Sequence, residues 1–495
     1  MSKEYILAID QGTSGTKAVI FNDQGQLICK STAELRSYYP HPGFVEQDPH
    51  EIYQNVLDAV GECLKAFREM KRDVNAICAC GISNQRETYL LWNNDGEPLY
   101  NAIVWQCKRS VEICNRLQGT TVEEDIRSRT GLIVDPYFSG TKVMWLYENE
   151  SDVRKAIDNG QAKGGTVDTW LLYKLTNGHS YLTDYTNACR TLFFNIDEFQ
   201  WDNVLMEKFN LTLLNVPDAV PSAFEFGETT FEGLLPRAIP ITGMIGDSHA
   251  AAFGEGCFDS GDAKATLGTG SSILMNTGDK RVPSQNGMVS TMCWSLPNRT
   301  DYALEGIIVT AGASIKWLRD QLGLFIDTSD TERMARKVAD NNGVYLVPAF
   351  SGLGAPHWKM SARAVISGLT FGADKNHLVR AALESIPYQI KDVISAMESD
   401  AGISLQELKC DGGMTANTFV MQFIADILNT KVTNVGIGDV SALGAAYMAG
   451  IGCGLYKDVS DLEQLPGRQH DFVPGPEKDK VKKFYQGWQK AVERI

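Results

Sequence analysis

Asp10-Gln11-Gly12-Thr13-Ser14-Gly15-Thr16-Lys17, placed after the apolar run Tyr5 to Ile9 and leading into Ala18-Val19-Ile20-Phe21, is the stretch whose reading decides the fold. A buried strand that ends in a carboxylate and a turn of Gly, Thr and Ser delivers N–H groups, hydroxyls and one cation to a single point. The carboxylate can also hold a hydrated Mg²⁺. Such a turn suits the phosphates of a nucleotide. The chain turns again at Asn22-Asp23-Gln24-Gly25 into a third strand, Gln26 to Ser31, so the loop joins two strands of a hairpin. A Walker A loop or a dinucleotide fingerprint would open a helix instead, and both are set aside.

Working outward, 495 residues exceed what one core accommodates and suit two or three domains. A net charge of −15 without a basic run argues against nucleic acid or an anionic membrane as partner, while leaving room for a local cationic phosphate pocket. Met-Ser-Lys-Glu at the start is no signal segment, and no stretch of about 18 apolar residues exists to span a bilayer. A cytoplasmic protein without membrane insertion is expected. The eleven cysteines are odd in number and form no C-x-x-C pair, so all are read as reduced and structural. The histidines form no H-x-x-x-H or H-E-x-x-H pair, which leaves a zinc site without support.

Asp48-Pro49-His50-Glu51 starts a helix, with Asp as cap and Pro at the first helical position. Ile52, Val56, Val60, Leu64 and Phe67 then recur at helical spacing. A buried strand, Ala76 to Ile82, follows and ends in the polar cluster Ser83-Asn84-Gln85-Arg86-Glu87-Thr88, at the strand end where open α/β sheets bind ligands. The second half repeats the theme: Ala263 to Leu267, Gly268-Thr269-Gly270-Ser271-Ser272, then Ile273-Leu274-Met275. Two related α/β domains, each with a phosphate-facing hairpin, are expected. The Gly-rich segment Phe253 to Gly261 is the candidate hinge, with domains over 1–252 and 253–495. Pro466-Gly467 and Pro474-Gly475-Pro476 break the chain before a last helix with Val481, Phe484, Tyr485, Trp488, Val492 and Ile495 on one stripe.

With these residues in hand, the chain resembles the FGGY family of carbohydrate kinases, and within it the glycerol kinase branch. The family's signatures match Tyr137-Phe138-Ser139-Gly140-Thr141-Lys142-Val143-Met144-Trp145 and the segment from Ala364 through Gly368-Leu369 and His377-Leu378 to Glu384. Asn84 to Thr88, Tyr100 to Cys107, Asp135 to Phe138, Thr183 to Ala188 and Val347 to Pro356 carry wording of that branch. The resemblance implies two actin-like (RNase H-like) α/β domains around a central interdomain cleft that closes on its substrates. It also implies ATP and Mg²⁺ as cofactors, transfer of the γ-phosphoryl group to a small polyol such as glycerol, and a homo-oligomer by family analogy.

Roles follow position by position. Asp247, in Ile245-Gly246-Asp247-Ser248-His249, matches the catalytic aspartate that takes the hydroxyl proton; read on its own, Asp-Ser is also a common helix cap. Asp10 matches the Mg²⁺ partner. Thr13, Ser14, Gly15, Lys17, Thr269 and Gly312 match phosphate-side positions, and Gly413 and Asn417 match adenosine-side positions. Arg86, Glu87, Trp105 and Tyr137 make an acceptor site: a donor fork, an acceptor, an aromatic face and a phenol, a set that rejects ligands lacking hydroxyls.

Several positions depart from the branch. Lys17 replaces Arg, keeping charge and losing the planar fork, and Lys316 stands for Gln on the nucleotide side. Ser248 and Ser272 replace Gln and Phe beside the acceptor, which opens the pocket to a four- or five-carbon polyol or ketose as the alternative substrate. The Gly-rich turn that binds fructose 1,6-bisphosphate in some bacterial members is replaced by Phe231 to Arg237, and Ser222 to Gly227 lacks the His that others phosphorylate. A non-enzymatic alternative, an ATP-driven binding protein of the actin or Hsp70 type, would not need Arg86, Glu87 and Trp105.

Overall fold

In the computed structural model, which describes residues 5–436, 438–466 and 469–495, the opening hairpin pairs β1 (Tyr5–Gln11) antiparallel to β2 (Gly15–Asn22). Asp10 stands opposite Lys17. β3 (Leu27–Glu34) continues the meander and runs three residues past the expected Ser31. Asp48 accepts from the His50 N–H at 2.8 Å and starts α1 (Pro49–Glu69). Ile52, Val56, Val60, Leu64 and Phe67 are all buried, seating α1 on β2 and β3. β4 (Ile77–Asn84) then joins β1 in parallel, with Ser83 level with Asp10.

β5 (Ala223–Thr229) and β6 (Ile239–Gly246) complete a sheet of order β5-β6-β4-β1-β2-β3, in which β6 is parallel to β4. β6 runs into α2 (Asp247–Gly254). β1 and β4 are buried at every position, which is why they read as apolar runs rather than alternations. A smaller sheet, ordered Glu46–Gln47, Ala102–Ile103, Tyr89–Trp92 and Lys163–Thr166, lies in the same unit.

The second half builds the same plan from β7 (Asp262–Leu267), β8 (Ser271–Gly278) and β9 (Arg299–Ile308). α3 (Gly312–Asp320) and the long α4 (Lys375–Ala401) follow, then β10 (Glu407–Asp411), α5 (Thr418–Leu428) and β11 (Val432–Asn434). After α6 (Val440–Gly452) come β12 (His470–Phe472) and α7 (Lys478–Val492). Six of the seven strands of this sheet, in the order β9-β8-β7-β10-β11-β12, repeat the order of the six-stranded first sheet: a hairpin, two parallel additions and an antiparallel strand beyond them. On α7, Val481, Trp488 and Val492 are buried and Phe484 and Tyr485 partly covered; Ile495, past the helix end, is partly covered too. Gly467, read as part of a chain break, and Met1 to Glu4 lie outside the described residues.

The chain forms two compact units, each drawn from more than one segment. Residues 1–256 form the first together with 290–302 and 439–466, and 257–289, 303–438 and 467–495 form the second. The physical reason is α6. Its small residues lie against α2 and the first sheet, and a Cβ on Gly444 would come within 1.8 Å of the Ala250 carbonyl. All eleven cysteines are free, ten of them buried, and among the described residues no helix is long and apolar enough to cross a membrane.

Candidate functional site

In the first unit the phosphate-loop candidates sit where β1 turns into β2. The turn closes on a Gly12 N–H to Gly15 carbonyl bond of 2.9 Å, leaving Ser14 exposed and Thr13 half-buried. Behind it Asp10 is buried and accepts from Ser83 Oγ at 3.1 Å and from Lys17 Nζ at 3.4 Å. Burial pushes the Asp10 carboxyl above its ordinary value, against the pull of Lys17 and Ser83. Lys17 also meets Asp439 at 3.0 Å, and Lys30 meets the same carboxylate at 2.8 Å. Burial works against the Lys17 charge, yet Asp10 and Asp439 together hold the ammonium above its ordinary value. Asp439, the residue before α6, was not found from sequence, because it is brought to the loop only by the fold.

Arg86 and Glu87 extend β4 and are buried, not a surface pair. Glu87 takes a left-handed φ of +59°, a conformation that a bulky residue adopts rarely and often at functional sites. Its carboxylate accepts from Arg190 Nε at 2.6 Å, both side chains lying out of water. Arg86 Nε stands 3.4 Å from Asp247 Oδ1. Gly246 is required beside it: a Cβ there would lie 2.7 Å from Arg86 Cγ. Trp105 and Tyr137 are half-buried with ring centres 5.6 Å apart, edge to face.

Asp247 opens α2 as its first residue, not as its cap; Gly246 holds the cap position. Oδ1 accepts from the Ser248 N–H at 2.6 Å, and the side chain remains 39% exposed, so a ligand can reach it. Two flanking motifs hold this end of the sheet. Asp184 caps the short helix Tyr185–Ala188, and Thr186 Oγ1 of that helix accepts from the Gly246 N–H at 2.8 Å. Asn187 and Asn84 exchange amide bonds of 2.9 and 3.0 Å, fixing the strand end that carries Arg86. Lys142 is fully buried and donates to the carbonyls of Pro136, Tyr137 and Phe138, which shapes the turn presenting Tyr137. Burial pulls its ammonium down to about 7, with Glu87 pulling the other way. His249 is buried against Thr291 Oγ1 at 3.5 Å, a packing position.

The remaining candidates belong to the second unit. Thr269 is exposed at the tip of the β7–β8 turn, whose carbonyls cap α3: Thr269 accepts from Ala311 and Ala313, and Gly268 from Gly312 at 3.0 Å. The N–H of Gly312 is thus used internally, and what Gly312 offers a phosphate is the absence of a side chain. Gly413 and Asn417 line a cleft of about 330 Å³ with Ile315, Thr331, Glu332 and Met414. Asn417 also caps α5 through Val420 N–H and donates to Thr331, so its amide has structural duties there. Lys316 is exposed on α3 and is not among the residues lining that cleft. Ser272 donates to Glu305 at 3.4 Å and is the acceptor candidate that belongs to the second unit. Among the described residues no group of three or more His, Cys, Asp or Glu side chains could cage a metal.

Comparison with known proteins matches this geometry to one family. The model of the amino-terminal domain of the FGGY carbohydrate kinases covers residues 5–254, and that of the carboxy-terminal domain covers 263–453. A glycerol kinase of Symbiobacterium thermophilum is 46% identical over 495 residues, spanning 100% of this chain and 99% of its own. The crystal structure of Plasmodium falciparum glycerol kinase with ADP is 38% identical, with a TM-score of 0.93 over 99% of this chain and 98% of that one. A xylulose kinase from Lactobacillus acidophilus, 22% identical, shares the fold with a TM-score of 0.88 over 99% and 98% of the two chains. Family models over both halves, two α/β units and full-length similarity make this chain a member of the FGGY family of carbohydrate kinases.

Proposed function

We propose that this kinase phosphorylates glycerol to sn-glycerol 3-phosphate at the expense of ATP, with Asp247 as general base. The observation that carries the reading is the buried Arg86–Glu87 pair, with Arg86 Nε 3.4 Å from Asp247, together with Trp105, which is bonded through its backbone N–H to Thr88 and packed edge to face on Tyr137. Full-length relatives named glycerol kinases support it. Arg86 and Glu87 bind neighbouring hydroxyls, Trp105 covers the C–H face, and Tyr137 adds a phenol. Asp247, oriented by Arg86 and the Ser248 N–H, takes the proton of the reacting hydroxyl as its oxygen attacks the γ-phosphorus and ADP leaves. Thr13, Ser14, Gly15 and Lys17 are the phosphate-side residues of the first unit, and Thr269 and Gly312 those of the second; Gly413, Asn417 and Lys316 serve the adenosine side.

Asp10 fits Mg²⁺. It offers a hard oxygen donor, and its buried charge is answered only in part by a lysine that it shares with Asp439. When bound, the ion offsets charge on the phosphates. A hinge over Phe253 to Gly261, a cytoplasmic location, which the free buried cysteines favour, and a homo-oligomer by family analogy belong to the same proposal. The second substrate reading, a four- or five-carbon polyol or ketose, rests on Ser248 and Ser272.

The test is product identification. Purified protein with Mg-ATP and glycerol is expected to yield glycerol 3-phosphate by phosphorus NMR, and D247N is expected to yield at least about a hundredfold less in the same time. ATP hydrolysis without a phosphorylated acceptor would favour the actin-like reading instead.

A further inference from the structure

The phosphate loop and the aromatic wall of the acceptor site are joined by a closed ring of hydrogen bonds. Trp105 Nε1 donates to Thr13 Oγ1 at 2.8 Å, and the Trp105 backbone N–H donates to Thr88 Oγ1 at 3.2 Å. Thr88 Oγ1 donates to Gln85 Oε1 at 3.0 Å, Gln85 Nε2 to Gln47 Oε1 at 2.8 Å, and Gln47 Nε2 to the Thr13 carbonyl at 2.7 Å. The circuit is complete within one unit. Gln47, Gln85 and Thr88 are buried, so the Thr88–Gln85 and Gln85–Gln47 bonds do not compete with water, and the three at Thr13 and Trp105 are part-buried.

The ring is anchored on both sides. The Gln85 N–H donates to the Gln11 carbonyl at 2.7 Å, just before the loop. Glu46, next to Gln47, is gripped by the buried Arg109 at 2.6 Å and accepts from Tyr100 and Asn101. Arg109 is itself stacked over Phe44 and Trp145, 4.4 and 4.8 Å from the ring centres.

We infer that Gln47 and the Trp105 indole N–H are positioning groups through which nucleotide and acceptor binding assist each other; this rests on the proposed roles of Thr13 and Trp105. Two effects act at Thr13. Accepting from the indole turns the Thr13 hydroxyl so that its own hydrogen is directed elsewhere, available to a phosphate oxygen, and each bond polarises the next. Because N–H and C=O of a trans peptide point in opposite directions, holding the Thr13 carbonyl toward Gln47 turns the Ser14 N–H away from it. A nucleotide that orders Thr13 therefore orders Trp105 through the ring, and an acceptor seated on Trp105 orders Thr13 in return, as linkage requires.

The test is a binding cycle by calorimetry, measuring glycerol affinity with and without Mg²⁺ and a non-hydrolysable ATP analogue, for wild type, W105F and Q47M. W105F keeps an aromatic face and removes the donor; it guards against Q47M failing to fold. Wild type is expected to bind glycerol about fivefold or more tighter with the analogue present. In W105F, and in folded Q47M, that factor is expected to fall to about one, with the analogue's own affinity changed less than about threefold. Intact binding of both ligands with the wild-type factor retained in the variants would overturn the inference, as would a factor of one in wild type. Failure of the proposed function would look different: wild type would bind the analogue and no glycerol.

Discussion

At Asp247, one carboxylate is held from one side by the Arg86 guanidinium and from its own helix start by an N–H, while enough of it stays open for a ligand. D247N is expected to lower kcat by about 10²–10⁴, the range for losing a general base, and to leave ATP-analogue binding within about twofold. Wild-type turnover in the variant would remove the assignment. Glu87 carries a second demand, because its partner Arg190 is fully buried. E87Q keeps the shape and removes the charge, and is expected to cost about 3–5 kcal/mol in denaturant unfolding besides raising the glycerol KM. Ser272 gives the specificity test: S272F should shift preference from longer polyols toward glycerol. An unchanged ratio across acceptors would take Ser272 out of the specificity argument.

The elements explain why such residues meet. β1, β4 and β6 end side by side, so Asp10, Arg86 and Asp247 all emerge at one edge of a single sheet. Gly246 lets Arg86 lie against the end of β6, and G246A is expected to raise the acceptor KM more than the ATP KM in steady-state assays. Equal effects on both would contradict that reading. Much of this was legible in the chain. The hairpin, the Asp48 cap with Pro49, the apolar stripe of α1 and the repeat at Gly268-Thr269-Gly270 are local signals, and local signals survive in a sequence. Asp439, Arg190 and Gln47 were not legible. Each reaches the site from a distant segment, and Gln47 reads locally as one more polar residue. Lys142 was quoted within a family signature, yet its three carbonyl partners follow only from the turn at Pro136 to Phe138. The packing of α6 was not legible either, because its apolar small-residue run carries no mark of which sheet it will cover.

On the scale of the whole molecule, the core of the first unit contains a carboxylate that resists ionisation. Asp168 is fully buried and accepts from Thr166 and Thr183; burial, then the nearby Asp184 carboxylate, push it up to about 7. Its folded value is raised above the unfolded one, so the stability it lends is full below about pH 4 and is lost as pH rises through about 7. Thermal unfolding of D168N against wild type is expected to favour the variant progressively from pH 5 to pH 8, by on the order of 3 kcal/mol in all. A difference that does not move with pH would show that Asp168 ionises at its ordinary value. The free buried cysteines place no redox condition on such measurements beyond a reducing buffer.

Catalysis is tested most directly by ADP release from Mg-ATP against glycerol, erythritol, xylitol, ribitol, erythrulose, xylulose and ribulose. The account predicts that glycerol has the highest kcat/KM, by about tenfold or more over each longer acceptor, the scale on which a fitted pocket discriminates. A longer polyol or ketose in first place would contradict the glycerol assignment and make Ser248 and Ser272 the residues that changed the substrate.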